Sequence, residues 1–180
     1  KRQRESLLAH RRETDAMIEA LDILLEDAMN DNELTLEEVG KILGDADFAA
    51  HQSEAEERYG DTADWRESQE RTASWQTADW RQNSERFHDI ERRMIDAIRD
   101  GAAPDSERAA SLVEEHREAL SDFFPVTPAK HYIMSRGYIH DERFREHYDS
   151  QQVGFAQWLA DAIEAVARQQ GVDIENPTWE

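Results

Sequence analysis

The stretch TADWRQNSERFHDIERRMIDAIR, residues 77–99, decides the fold class. Its residues Trp80, Phe87, Ile90, Met94, Ala97 and Ile98 recur at spacings of three, four and seven. They share one stripe of a helix but would be scattered over both faces of a strand. Thr77 is placed to cap a helix running from Ala78 to about Arg99, and Gly101 to stop it. Pro104 and Asp105 favour the next helix start. The stripe then resumes through Ala109, Leu112, Val113, His116, Leu120, Phe123 and Phe124 before Pro125 and Pro128 interrupt it. Further helical segments are expected at about 129–137, as a short turn at 141–148, and at 152–170. The last buries Val153, Ala156, Leu159, Ala160, Ile163 and Val166. No stretch alternates with period two, so the expected fold class is all-α.

Upstream, Thr35 with Glu38 forms a capping-box pattern ahead of Leu36, Val39, Ile42 and Leu43, and Gly44 is a natural stop. Residues 45–60 are polar apart from Phe48 and end at Gly60. Asp61 or Thr62 can cap a helix reaching about Trp75. In residues 1–30, Leu7, Thr14, Leu21 and Ala28 repeat every seven positions beside Met17 and Leu24. That pattern fits the end of a dimerising coiled coil or an amphipathic helix packed on its own domain. The expected organisation is a dimerisation helix at 1–30, a helical domain at 31–170 and an irregular tail at 171–180, with Trp179 able to fold back. Because Lys1 already lies in a helical pattern, the chain reads as a piece of a longer protein.

Among 180 residues, 41 are acidic and 21 basic, a net charge of −20. Residues 1–12 carry +4, leaving −24 on the other 168. Such a surface repels a phosphate backbone, which is bound by cationic side chains. With no cysteine, thiolate catalysis, disulfides and cysteine metal sites are excluded. No apolar run approaches the ~18 residues of a membrane helix. A cytoplasmic protein without a membrane partner is expected.

The candidate chemistry is sparse. His116, His131 and His140 match no compact metal spacing, and Glu85 with His88 supplies a single Glu-x-x-His element where a di-metal bundle needs two. Asp27, Asp31 and Glu38 fall at calcium-loop positions, but Met29 and Asn32 spoil the third and sixth. No nucleophile elbow or glycine-rich phosphate loop occurs. The reading is a protein that is not an enzyme and needs no cofactor. The aromatic residues are more informative. Tyr59, Trp65, Trp75 and Trp80 form one cluster in sequence, and Tyr132, Tyr138, Phe144 and Tyr148 another. Each could be core, yet tyrosine and tryptophan carry polar tips and often line cavities. His116 has the same two readings, a satisfied core histidine or a polar group facing a ligand.

The block from Glu56 through Tyr59, Gly60, Asp61, Trp65 and Ser68 to Trp75 resembles the TipA-type effector-binding domain of MerR-family transcriptional activators. The likeness continues at Trp80, at Glu115-His116-Arg117, and at Tyr138 through Asp141, Arg143-Phe144, Tyr148-Asp149 and Gly154. It spans about residues 45–170. SkgA-type stationary-phase regulators of a catalase-peroxidase gene are also similar. The resemblance implies a globin-like helical fold, a dimerisation helix and an upstream winged-helix domain that alone contacts DNA. It also implies an antibiotic-binding cleft, for which the candidate residues are Tyr59, Trp65, Ser68, Trp75, His116, Phe123, His131, Tyr138, Phe144 and Tyr148. In the family, thiopeptides can be tethered to a cysteine, so a cysteine-free chain is expected to bind a thiopeptide-like or other hydrophobic effector noncovalently. Residues 33–60 are the expected mobile part. The alternatives are a ligand-independent protein-interaction domain of a stress-response regulator and a metal-dependent enzyme.

Overall fold

The computed structural model describes residues 34–45 and 47–179, all of whose regular structure is helical. The coiled-coil expectation for residues 1–30 lies outside them. The helices are α1 (Leu36–Leu43), α2 (Phe48–Tyr59), α3 (Ala63–Thr72), α4 (Thr77–Arg99), α5 (Glu107–Leu120), α6 (Pro128–His140), α7 (Glu142–Gln151) and α8 (Phe155–Gln169). They form two compact units. One takes the described residues up to Arg58 together with Ala73–Gln82, and the other takes Tyr59–Thr72 together with Asn83 onward.

In the first unit the capping box is present. Thr35 N–H donates to Glu38 Oε2 at 2.7 Å and Glu38 N–H to Thr35 Oγ1 at 3.3 Å. Gly40 must be glycine, since a Cβ there would meet the Asp45 carbonyl oxygen at 2.6 Å. The polar run that showed no stripe is helix α2, which buries no residue. Strong helix formers such as Ala49, Ala50, Ala55 and Glu56, with the Arg58–Glu54 pair at 2.7 Å, account for it. Trp80 stacks edge-on against Trp75 at 4.7 Å and Phe48 at 6.2 Å.

The second unit holds the main core. Met94, Val113, Phe155, Leu159 and Ile163 are almost fully buried, and α8 packs against α5, α6 and α7. The stripe of residues 87–98 faces this core as expected, with Ile90, Met94 and Ala97 buried. Four expectations shift. Ser106, two residues beyond Pro104, caps α5 by accepting Ala109 N–H at 3.2 Å. Helix α3 ends at Thr72, short of Trp75. Val153 is 87% exposed because Gly154, at φ 82°, turns the chain so that α8 starts at Phe155, which takes the buried place. Helix α6 runs to His140, and Asp141 serves both neighbours. Its N–H closes α6 on Gly137 O at 2.9 Å, and its carboxylate accepts Arg143 N–H at 3.0 Å to start α7.

Candidate functional site

Helices α5, α6 and α7 bring five of the predicted residues into one connected group. His116 Nδ1 lies 2.9 Å from His131 Nε2, and the two rings stack with centroids 5.1 Å apart. His116 also meets Phe87 edge-on at 5.7 Å and Tyr138 at 6.2 Å. Tyr138 continues the contacts to Phe144 at 6.1 Å and Tyr148 at 5.3 Å, and Tyr148 reaches Phe155 at 5.2 Å. His116 and His131 are each 1% exposed. Burial holds His116 down to about 4, and burial together with the neighbouring His116 holds His131 well below the usual imidazole range. Both rings are therefore neutral near pH 7, one nitrogen carrying the shared proton and the other accepting it. Burial raises the Tyr138 and Tyr148 phenols, which stay protonated.

One carboxylate stands at this group. Glu91, buried on α4, accepts from Gln151 Nε2 at 3.0 Å and pairs with His147 Nε2 at 3.2 Å. Burial pushes Glu91 up, but the bonds from His147 and Gln151 outweigh it and hold the carboxyl below its ordinary range. The same bond raises His147. Glu91 escaped the sequence reading although a signal existed. It sits four residues after Phe87 and three before Met94, on the buried stripe itself.

The other predicted residues lie elsewhere. Tyr59 ends α2 and is 54% exposed. Trp65 and Ser68 lie on the half-buried side of α3, and Phe123 is half-buried after α5. Trp75 belongs to the first unit, beside Trp80. Helix α3 buries no residue and is fastened by polar contacts. Lys130 Nζ donates to Asp64 Oδ1 and Oδ2 at 2.9 and 2.8 Å, and Arg71 donates to Ser121 O at 2.7 Å. Helix α3 also borders a shallow cavity of about 460 Å³ lined by Ala63, Arg66, Glu67, Glu70 and Arg71. None of the predicted residues lines it, and its charged walls differ in kind from the aromatic group. Among the described residues, no cluster of three or more histidines and carboxylates could hold a metal ion, and no helix is long and apolar enough to cross a membrane.

Neutral imidazoles, protonated phenols and one carboxylate are set among aromatic rings here. An all-α domain built around such a group defines the class. Residues 51–166 match the TipAS antibiotic-recognition domain. The chain is 31% identical over 168 residues to the HTH-type transcriptional activator TipA of Streptomyces coelicolor and, equally, of Streptomyces lividans. The match covers 93% of this chain and 66% of each relative, so the chain spans just under two thirds of their length. A solved structure of TipAS from Streptomyces lividans in complex with nosiheptide, from a thiopeptide antibiotic multidrug resistance system, superposes with a TM-score of 0.69 at 32% identity. It covers 77% of this chain and 97% of that one. The chain belongs to the TipAS antibiotic-recognition domain family.

Proposed function

We propose that this domain senses a thiopeptide-like antibiotic for a MerR-family activator and binds it noncovalently beside the His116–His131 pair. The observation that carries this reading is the convergence of His116, His131, Tyr138, Phe144 and Tyr148 in one aromatic group of a TipAS-family domain. Tyr59, Trp65, Ser68 and Phe123 belong to the same proposal as outer contacts. The absence of cysteine supports noncovalent capture. Residues 33–60, whose helices α1 and α2 are poor in buried side chains, are in this proposal the segment that ligand binding orders. The globin-like arrangement, the dimerisation helix at residues 1–30 and a DNA-reading domain upstream complete the proposal. The heptad at Leu7, Thr14 and Leu21 supports the helix, and the longer HTH-type relatives support the DNA-reading part. Activation requires that the ligand bind the ordered state more tightly than the open one. A cytoplasmic setting follows from that role.

The test is titration of the chain with nosiheptide, read by tryptophan fluorescence, calorimetry and intact mass. Saturable binding without a covalent mass increase is expected. Phe144→Ala separates recognition from packing, because Phe144 is 49% exposed and contributes little to the core. A loss of affinity of roughly tenfold with an unchanged melting temperature is expected, in line with a hot-spot aromatic. Absence of saturable binding by a folded sample removes the proposal and leaves the protein-interaction reading.

A further inference from the structure

Beyond the effector cluster, the second unit contains a separate contact made by the chain's own C-terminal arm. After α8, Val172 and Ile174 pack against the core while Asp173 Oδ1 accepts the N–H groups of Glu175 and Asn176 at 3.1 and 3.3 Å. This local turn carries the chain back to α3, where Trp179 Nε1 donates to Asp64 Oδ2 at 2.7 Å. The Lys130 ammonium stands 5.7 Å from the Trp179 ring and 6.0 Å from that of Phe124, and the two rings lie 6.5 Å apart.

The two sides of this contact differ in how firmly they are built. Lys130 is 7% exposed and is held by both Asp64 oxygens and by Pro125 O at 3.3 Å. None of those bonds involves the arm. Trp179 is 44% exposed and is retained by one hydrogen bond and ring contacts. We propose that Asp64, Lys130 and Phe124 form a recognition slot for an aromatic ring bearing an N–H donor, and that Trp179 is its detachable built-in occupant. The carboxylate accepts the N–H, the ammonium lies against the π face, and Phe124 bounds the ring. The external ligand it fits is an indole or similar heteroaromatic N–H group, presented by a peptide or a small molecule.

The slot is independent of the effector reading and is tested without an antibiotic. Trp179→Ala in the whole chain vacates it, and N-acetyl-tryptophanamide is the probe, followed by amide chemical shifts at Asp64, Phe124 and Lys130. Binding to Trp179→Ala at least tenfold tighter than to the native chain is expected. The 1-methylindole analogue, which has lost the donor, should bind at least tenfold more weakly than its parent. Equal binding to both chains, equal binding of both probes, or no shift at these residues overturns the proposal. Should Trp179→Ala fail to fold, the native chain decides. A Trp179 indole proton that exchanges as slowly as a hydrogen-bonded one supports the slot, and exchange as fast as a free indole overturns it.

Discussion

His116 Nδ1 and His131 Nε2 face each other at 2.9 Å inside the second unit, with no bulk water at either ring. A neutral pair shares one proton well, whereas protonating it buries a charge beside a second donor.

Acid should therefore destabilise the fold earlier than carboxylate titration alone. For His116 the folded value of about 4 lies below the ordinary 6.5, so between these values the unfolded chain binds more protons and stability rises with pH. The contribution is complete above pH 6.5 and is lost as pH falls toward 4. It amounts to an order of 3 kcal/mol for a shift of this size. Urea denaturation at pH 7 and pH 4.5 measures it. The pH dependence should flatten in His116→Phe paired with His131→Leu, and an unchanged slope would count against the assignment.

Glu91 and His147 make the opposite prediction on the alkaline side. The Glu91 bond raises His147, so its stabilisation is present below 6.5 and is lost as pH rises through the folded value. An NMR titration of the His147 ring should give a midpoint above 6.5. Glu91→Gln should return it toward the unperturbed value and increase amide exchange across Glu142–Gln151. The cost in stability is about 1–3 kcal/mol, because a buried charged acceptor is replaced by a neutral amide that can no longer accept from both donors.

The Asp64–Lys130 pair fastens α3, and its side chains are only 18% and 9% exposed. Lys130→Met leaves a carboxylate with only the indole donor and should cost about 3–5 kcal/mol. Asp64→Leu combined with Lys130→Met should cost distinctly less than the sum of the two single changes. Strictly additive single and double mutants in chemical denaturation would argue that the pair is not coupled.

The start of α8 can be checked by contrast. Leu159→Ala removes a fully buried side chain and should cost about 2–5 kcal/mol, while Val153→Ala should stay within ~0.5 kcal/mol. Similar costs at both positions would restore the helix start expected from sequence.

Much of the fold was legible because helical burial leaves a periodic trace. Trp80 through Ile98 and Ala109 through His116 carried it, and the capping box at Thr35 and the stop at Gly101 were local enough to read directly. Helix α2 left no trace, since a helix that buries nothing has no stripe. The start of α8 was misplaced because a left-handed Gly154 and a following apolar residue look, in sequence, like a helix that began one turn earlier.

The sequence by itself determined the helical class, the family, the sign of the surface and five residues of the aromatic group. It could not pair them. That His116 meets His131 fifteen positions away, that Glu91 receives His147 and Gln151 from another helix, and that Trp179 returns to Asp64 across 115 positions are decisions of tertiary packing. The physical reason is that a periodic pattern records which side of a helix avoids water, whereas the partner that satisfies each buried polar atom is set by how helices cross.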